Sequence, residues 1–115
     1  MFAGLAVTAT ENALMMSAFH DGTTTISLAA MEPHVMNLID FLRTTGVDIT
    51  IRPDHTIIVR GMPDIPSHAE ATVIGDYIES GTFFILGALT AENSLLIRNA
   101  RISDLTTFLA KAREA

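Results

Sequence analysis

Residues 10–30, TENALMMSAFHDGTTTISLAA, have a partial echo 71 residues later in residues 81–101, GTFFILGALTAENSLLIRNAR. Ile26 falls on Ile97 and Ala29 on Ala100, and the apolar stripe of the helix that follows falls on the last residues of the chain. A duplication of this kind is typical of a repeat protein, in which each unit closes its core against its neighbours. The second copy is shorter than the first. We therefore expect a piece of a longer protein, with a first unit at residues 1–62 and a truncated second unit at residues 67–115.

The composition suits a small domain with a modest core. The chain has 115 residues, 49% of them hydrophobic, and a net charge of −6 with 13 acids against 7 bases. This acidic balance argues against a nucleic-acid partner. The absence of cysteine excludes disulfides, thiol zinc sites and a cysteine nucleophile in this chain. Apolar runs such as residues 83–89 are too short to span a bilayer, so we expect no membrane partner and a cytoplasmic location.

The first unit is predicted to contain two helices and three strands. The spacing from Thr8 to Glu11 matches a capping box, which predicts a helix starting near Thr10. Residues 13–19 are apolar on all sides, as in a fully buried helix, and residues 23–30 favour a strand. Pro33 favours the first turn of a second, amphipathic helix, which ends at Gly46. Alternating residues 47–51 and 57–59 around Pro53 predict a hairpin.

The second unit is predicted to repeat this order after a stiff, proline-rich connector at residues 62–66. Residues 67–74 and 94–102 favour strands. The acids of residues 76–79 open a helix where the helix dipole favours them, and residues 83–89 make it the second helix of the chain that is apolar on all sides. Ser103 is predicted to cap a last amphipathic helix.

Several residues have a simple structural interpretation. Met15 and Met16 are expected to fill the core, and so is the pair Phe83 and Phe84. Alternation along the strand predicted at residues 94–102 predicts that Arg98 and Arg101 are exposed, and we assign neither of them to a site. The histidines lack the paired spacing of metal ligands, so no metal site is expected. The histidines are His20, His34, His55 and His68.

Three strings of the sequence resemble a known family. They are residues 10–15 (TENALM), the pair Glu32-Pro33, and residues 76–83 (DYIESGTF). In order and spacing, and through to the end at residues 109–115 (LAKAREA), the chain resembles the UDP-N-acetylglucosamine 1-carboxyvinyltransferases, which are enolpyruvyl transferases. The resemblance covers nearly the whole chain but only about the middle of the family's polypeptide.

The resemblance implies an α+β fold of enolpyruvyl-transferase-like βαβαββ repeats, part of an inside-out α/β barrel of about one and a half repeat units. It implies a transferase of peptidoglycan biosynthesis that moves the enolpyruvyl group of phosphoenolpyruvate to the 3-hydroxyl of UDP-N-acetylglucosamine and releases phosphate. These two substrates are the expected partners, and no metal or organic cofactor is expected.

The resemblance also implies which residues contact substrate. The acids align with acids near the family's substrate cleft, and two further positions lie at the start of the first helix. The expected contacts are Glu32, Asp76, Glu79, Val7 and Thr8. For the acids, and for Glu11, helix capping is the alternative interpretation.

Departures from the family weaken its nucleotide clamp in this chain. A lysine and a serine are replaced by Gly4 and Ala6, and a glycine by Thr8, so a cation is lost and a side chain is added near the phosphates. Further substitutions are Met31, His34 and Tyr77. The family's catalytic loop, general base and phosphate-binding arginines have no counterpart in this sequence. We therefore expect no catalytic residues and no turnover by the chain alone.

Two alternatives remain open. One is a segment of the shikimate-pathway enolpyruvyl transferase, which shares the fold. The other is a non-catalytic module that forms a homo-oligomer through an open repeat face, because an exposed apolar patch and free sheet edges invite pairing.

Overall fold

The computed structural model describes residues 6–64, 66, 68–90 and 94–114. The chain divides into two compact units, Met1–Thr72 and Val73–Ala115. The first contains α1 (Val7–Ala18), β1 (Gly22–Ile26), α2 (Pro33–Thr44), β2 (Asp48–Arg52) and β3 (Thr56–Gly61). The second contains α3 (Tyr77–Leu89), a 3-10 turn (Ile102–Leu105) and α4 (Thr106–Glu114).

The first unit is built on a three-stranded antiparallel sheet in the order β1-β3-β2. Ile26 pairs with Ile57 in one ladder, and Ile51 pairs with Ile57 in the other. The predicted hairpin is confirmed as β2 and β3. His55 turns the chain between them with φ 59°, and its Nδ1 lies 3.1 Å from the carbonyl oxygen of Ala29. The hairpin is thereby joined to the segment that leads into α2.

Helix α1 begins earlier than the capping-box spacing predicts. Its N-cap is Ala6, no side chain caps it, and Thr8 and Glu11 lie inside the helix. Thr10 is buried: its hydroxyl donates to the carbonyl of Ala6 at 2.9 Å and accepts from the amide of Ala30 at 3.0 Å. The predicted capping box is wrong because the helix begins at Val7, which places Thr8 and Glu11 inside it.

Only one face of α1 is buried, so the predicted burial on all sides is wrong. Leu14 and Ala18 are inaccessible, whereas Met15 and Met16 are exposed, Met16 by 76%. The helix packs against β1, β3 and α2, which all cover the same side. The expectation that these methionines fill the core is wrong for the same reason.

Helix α2 confirms the prediction from its apolar stripe. Pro33 opens it, and Val35, Ile39 and Leu42 are buried. At its end the amide of Gly46 donates to the carbonyl of Arg43 and the amide of Val47 to that of Leu42, the two bonds of a Schellman motif. Gly46 has φ 99°, a conformation that favours glycine.

The core of the first unit lies between the sheet and the two helices. All its members are apolar, and they come from both helices, from β2 and β3, and from the connections between elements. They are Leu14, Ala18, Ala29, Ala30, Val35, Ile39, Leu42, Val47, Ile49, Ile57 and Val59. The burial of these side chains is the main stabilising term of this unit.

The second unit is helical in the residues that the structure describes. The predicted helix is α3, with Asp76 as its N-cap and the apolar residues 83–89 in its second half. Phe84 meets Phe108 of α4 edge to face at 5.4 Å, whereas Phe83 is 43% exposed, so the prediction of a buried pair is wrong for Phe83. Ser103 lies within the 3-10 turn and bonds Asp104 rather than capping α4. None of the described helices is long and apolar enough to cross a membrane.

The two strands predicted in the second unit are not formed in its described part. Residues 69–74 and 94–101 form no strand, and residues 98 and 99 form a turn. In the first unit β1 is held by β3, and with the 71-residue offset the equivalents of β2 and β3 would fall beyond residue 115. The apolar segment 95–97 therefore has the composition of a strand but no partner strand among the described residues.

The 71-residue offset read from the sequence also relates the helices of the two units to each other. Shifted by 71 residues, α1 falls on α3 and α2 falls on α4 within about two residues. The same shift places Leu28 on Asn99, and both adopt the left-handed conformation, with φ 54° and 60°. The two units thus share a backbone turn that few residue types other than glycine and asparagine adopt readily.

Candidate functional site

A cavity of about 480 Å³ lies in the second unit, between the start of α3 and the segment at residues 95–99. Its wall combines carboxylates, a guanidinium, an amide and a hydroxyl with apolar side chains. The lining residues are Gly75, Asp76, Glu79, Ser80, Phe83, Leu95, Leu96, Ile97, Arg98 and Asn99. A mixed wall of this kind is typical of a site for a small polar ligand.

Asp76 is the N-cap of α3, which confirms the capping interpretation for this residue. Its Oδ1 accepts hydrogen bonds from the amides of Ile78 at 2.8 Å and Glu79 at 3.3 Å. Its Oδ2 accepts none from the described residues, so it remains available to a ligand. Capping and ligand contact are compatible because they use different oxygens of one carboxylate.

Glu79 stands one turn into α3 and lines the same cavity. Its side chain makes no hydrogen bond or ion pair with the described residues. The structure therefore brings together two of the acids that the sequence singles out, at the positive end of a helix dipole.

The opposite wall is fixed by a close backbone approach. A Cβ added at Gly75 would lie 2.6 Å from the carbonyl oxygen of Asn99, so only glycine fits there. Asn99 itself holds the left-handed turn, and the hydroxyl of Ser80 bonds back to the carbonyl of Asp76 at 2.8 Å. These contacts set the spacing between the two walls.

Arg98 is a cavity residue that sequence reasoning missed. Its predicted exposure is confirmed, and so is that of Arg101, but Arg98 also lines the cavity beside Asn99. The available signal was Asn99, a residue type that tolerates the left-handed turn and so marks a bend beside the acids. Period-2 alternation indicates exposure but cannot distinguish open surface from a cavity wall.

Three other predicted contacts belong to the first unit. Val7 and Thr8 lie in the first turn of α1; Val7 packs against the core and Thr8 is exposed. Glu32 immediately precedes α2 as its N-cap residue. Gly4, one of the substituted clamp positions, lies outside the described residues.

Glu32 does not cap its helix, so the capping interpretation is wrong here. No hydrogen bond joins its side chain to the first turn of α2. Its Oε2 is buried and has no hydrogen-bond partner among the described residues. A buried carboxylate oxygen without a donor is costly, and such groups need an explanation.

The first unit has a small cavity at the place equivalent to the large one. It is lined by Ala6, Ala9, Thr10, Ala13, Ile26, Ser27 and Leu28, and its volume is about 40 Å³. With the 71-residue offset, Ala9, Ser27 and Leu28 correspond to Ser80, Arg98 and Asn99. The repeat therefore provides a hollow in both units, but only the second lines it with charged side chains.

A larger groove of about 550 Å³ runs between α3 and α4, but its polar groups are already engaged. At its rim Lys111 pairs with Glu114 at 2.7 Å, and Asp104 Oδ2 lies 3.3 Å from Arg101 Nε. Most of the remaining wall is apolar. The smaller cavity at Asp76 and Glu79 is the better ligand site because its charged groups are not paired with each other.

Comparison with known proteins identifies the family of this chain. Residues 3–115 match the family described as EPSP synthase (3-phosphoshikimate 1-carboxyvinyltransferase). Three similar proteins are named UDP-N-acetylglucosamine 1-carboxyvinyltransferase. The one from Caldanaerobacter subterraneus subsp. tengcongensis is 40% identical over 94% of this chain, and that from Desulfosudis oleivorans is 42% identical over 91%. The one from Deinococcus deserti is 37% identical over 99%.

The chain spans only about a quarter of the length of these relatives, 25% or 26% of each. A solved structure, the enolpyruvyl transferase NikO from Streptomyces tendae, superposes with a TM-score of 0.64 at 31% identity, over 74% of this chain and 20% of that one. The predicted α+β fold of enolpyruvyl-transferase type is confirmed. With a family match over nearly all its residues and a solved structural relative of the same type, the chain belongs to the EPSP synthase family.

Proposed function

We propose that this chain is a segment of a UDP-N-acetylglucosamine 1-carboxyvinyltransferase and supplies acids that hold the sugar nucleotide. The observation that carries the proposal is the cavity at the start of α3, where Asp76 and Glu79 line one wall. The names of the similar proteins support the choice of substrate. The segment's role is to bind and orient the acceptor sugar.

The chemistry of the acids suits this role. In the proposed transfer, the 3-hydroxyl oxygen of the sugar bonds to the enolpyruvyl carbon of phosphoenolpyruvate, the hydroxyl proton leaves, and phosphate departs. Carboxylates accept hydrogen bonds from the other sugar hydroxyls, and holding the acceptor in place reduces the entropic cost of the reaction. Asp76 Oδ2 and the Glu79 carboxylate are the groups available for this in the second unit.

Glu32 supports the proposal independently in the first unit. Its buried Oε2 lacks a donor among the described residues, and a sugar hydroxyl or amide of a ligand would supply one. Each unit is thus considered by itself, with Glu32 as the candidate ligand contact of the first unit and Asp76 and Glu79 as those of the second. We expect the chain alone to release no phosphate, because the residues that bind phosphoenolpyruvate in the family have no counterpart in its sequence.

The shikimate-pathway alternative makes a different prediction about the ligand. We expect UDP-N-acetylglucosamine to shift the amide resonances of Glu79 and Asn99 in a saturable way, and shikimate 3-phosphate at the same concentration to leave them in place. Two-dimensional NMR of the labelled 115-residue chain provides the measurement. The reverse preference would assign the segment to the shikimate branch of the family.

Glu32→Gln is expected to stabilise the chain and weaken its binding of UDP-N-acetylglucosamine. Glutamine replaces one oxygen of this half-buried carboxylate, whose Oε2 is buried without a donor, by an uncharged amide, so the free energy of unfolding should rise by up to about 1 kcal/mol. Urea unfolding followed by circular dichroism gives the free energy, and calorimetry gives the affinity.

Glu70→Gln is the matched control for Glu32→Gln. It removes the same charge from an exposed side chain, and we expect a change within about 0.5 kcal/mol. If Glu32 capped its helix, Glu32→Gln would lower the free energy of unfolding instead, since losing a cap destabilises a helix. A less stable Glu32→Gln variant would therefore overturn the assignment of Glu32 to the ligand site.

Self-association as a non-catalytic module is the second candidate. Exposed apolar side chains on α3, including Ile78, Ile85 and Leu86, favour it, because a contiguous apolar face invites a partner. It gives no reason for two acids and an arginine to line one cavity, or for the buried oxygen of Glu32. The sugar-nucleotide proposal accounts for both features and is preferred.

A further inference from the structure

Arg98 shares a cavity with two carboxylates but pairs with neither. No ion pair or hydrogen bond joins its guanidinium to the described residues, although Asp76 and Glu79 line the same cavity. Among the described residues four other cations pair with acids, for example Arg43 at 3.5 Å from Asp40 and Arg60 at 3.2 Å from Asp48, whereas Arg52 and Arg113 do not. The cavity thus separates opposite charges that would otherwise attract each other across a short distance.

The backbone around Arg98 holds this separation. Asn99 occupies the left-handed turn, and its carbonyl approaches Gly75 so closely that no side chain fits between them. The neighbouring wall carries Leu95 and Ile97. Arg98 is therefore carried by a segment whose path is determined by packing rather than by its own charge.

Comparison of the two units shows that the arginine is not required by the repeat. Its equivalent in the first unit is Ser27, which borders a cavity of only about 40 Å³. The same turn is formed there without a charged residue at that position. The repeat fold therefore does not require a cation at residue 98.

We infer that Arg98 binds a phosphate group of the ligand whose hydroxyls are held by Asp76 and Glu79, an inference that rests on the proposed function. Two carboxylates and one guanidinium give the cavity a net negative charge, which disfavours a simple anion. A sugar phosphate satisfies both walls, because its hydroxyls donate to the acids and its phosphate accepts from the arginine. The planar fork of arginine matches two phosphate oxygens.

The inference predicts an effect that depends on the phosphate. We expect Arg98→Gln to weaken binding of N-acetylglucosamine 1-phosphate about tenfold and to leave binding of N-acetylglucosamine unchanged. NMR titrations of the 115-residue chain provide both affinities. The control is Arg113→Gln, which removes an exposed cation of α4 that does not line the cavity. It is expected to change neither affinity.

The inference would be overturned if the wild type and Arg98→Gln bound the sugar phosphate with equal affinity. If Arg98→Gln weakened binding of N-acetylglucosamine 1-phosphate and of N-acetylglucosamine equally, the role of Arg98 would be structural, which would also overturn the inference. A third probe separates this failure from failure of the proposed function. Glycerol 3-phosphate, which offers hydroxyls to the acids and a phosphate to the arginine, should move the Nε–Hε resonance of Arg98 in the wild type even if no N-acetylglucosamine ligand binds. An unmoved resonance would overturn the inference, whereas loss of sugar binding alone would overturn only the proposed function.

Discussion

Gly61→Ala is expected to unfold most of the first unit. A Cβ at this position would collide with the carbonyl oxygens of Ser17 and His20 at the end of α1. The two segments are held together by the hydrogen bond from the amide of Met62 to the carbonyl of Ala18 at 2.9 Å. Since the obstacles are backbone atoms, neither side can rotate away. We expect a loss of about 3 kcal/mol, a large share of the stability of so small a unit.

The effect is measured by thermal unfolding followed by circular dichroism, with amide exchange in β1 and β3 as a local probe. Gly81→Ala is the control, because its added Cβ would meet only Leu105 Cδ2 at 3.9 Å. In a helix interior that exchange is expected to be neutral or to stabilise by about 0.5 kcal/mol. A Gly61→Ala variant as stable as the wild type would contradict the close approach of β3 to α1.

Substitution of Asp76 is expected to separate its two roles. Asp76→Asn keeps a side-chain oxygen for the helix cap but replaces Oδ2 by an amide donor and removes the charge. We expect unchanged stability and at least about tenfold weaker binding of UDP-N-acetylglucosamine. Asp76→Ala should show the same loss of affinity and, in addition, lose about 1 kcal/mol of stability with the cap.

Calorimetric titration and urea unfolding of the same samples measure the two effects. The informative comparison is between the two variants, since only the alanine lacks a cap. If Asp76→Asn bound the ligand as tightly as the wild type, Asp76 would be a capping residue alone, and the ligand site would have to depend on Glu79.

Local sequence rules predicted the elements that local chemistry determines. The amphipathic stripe of Val35, Ile39 and Leu42 identified α2, and the alternation around Pro53 identified the hairpin. Asp76 was expected at the opening of α3, and it is the N-cap. In each case the residues that carry the signal also make the decisive contacts, so no knowledge of distant elements was needed.

The failures arise where distant contacts decide. Thr8 and Glu11 have the spacing of a capping box, but α1 begins at Val7, and the nearby Thr10 is bonded to the amide of Ala30, twenty residues away. Met15 and Met16 look like core residues, yet only one side of α1 is covered. Residues 94–101 have the composition of a strand, but a strand needs a partner to complete its hydrogen bonds, and the described residues provide none.

The candidate site was predicted in part. The acids could be identified from the resemblance, and two of them do line one cavity. Arg98 could not be assigned, because the left-handed turn at Asn99 that places it on the wall is set by packing against Gly75. The capping alternative was correct for Asp76 and wrong for Glu32, a difference that depends on side-chain direction rather than on sequence position.

The most direct test of a sugar-nucleotide site is titration calorimetry of the folded 115-residue chain with UDP-N-acetylglucosamine. Saturable binding that weakens at least about tenfold in Asp76→Asn, at unchanged stability, is the predicted result. A folded chain that gives no binding heat, or that binds equally well after the substitution, would contradict the account.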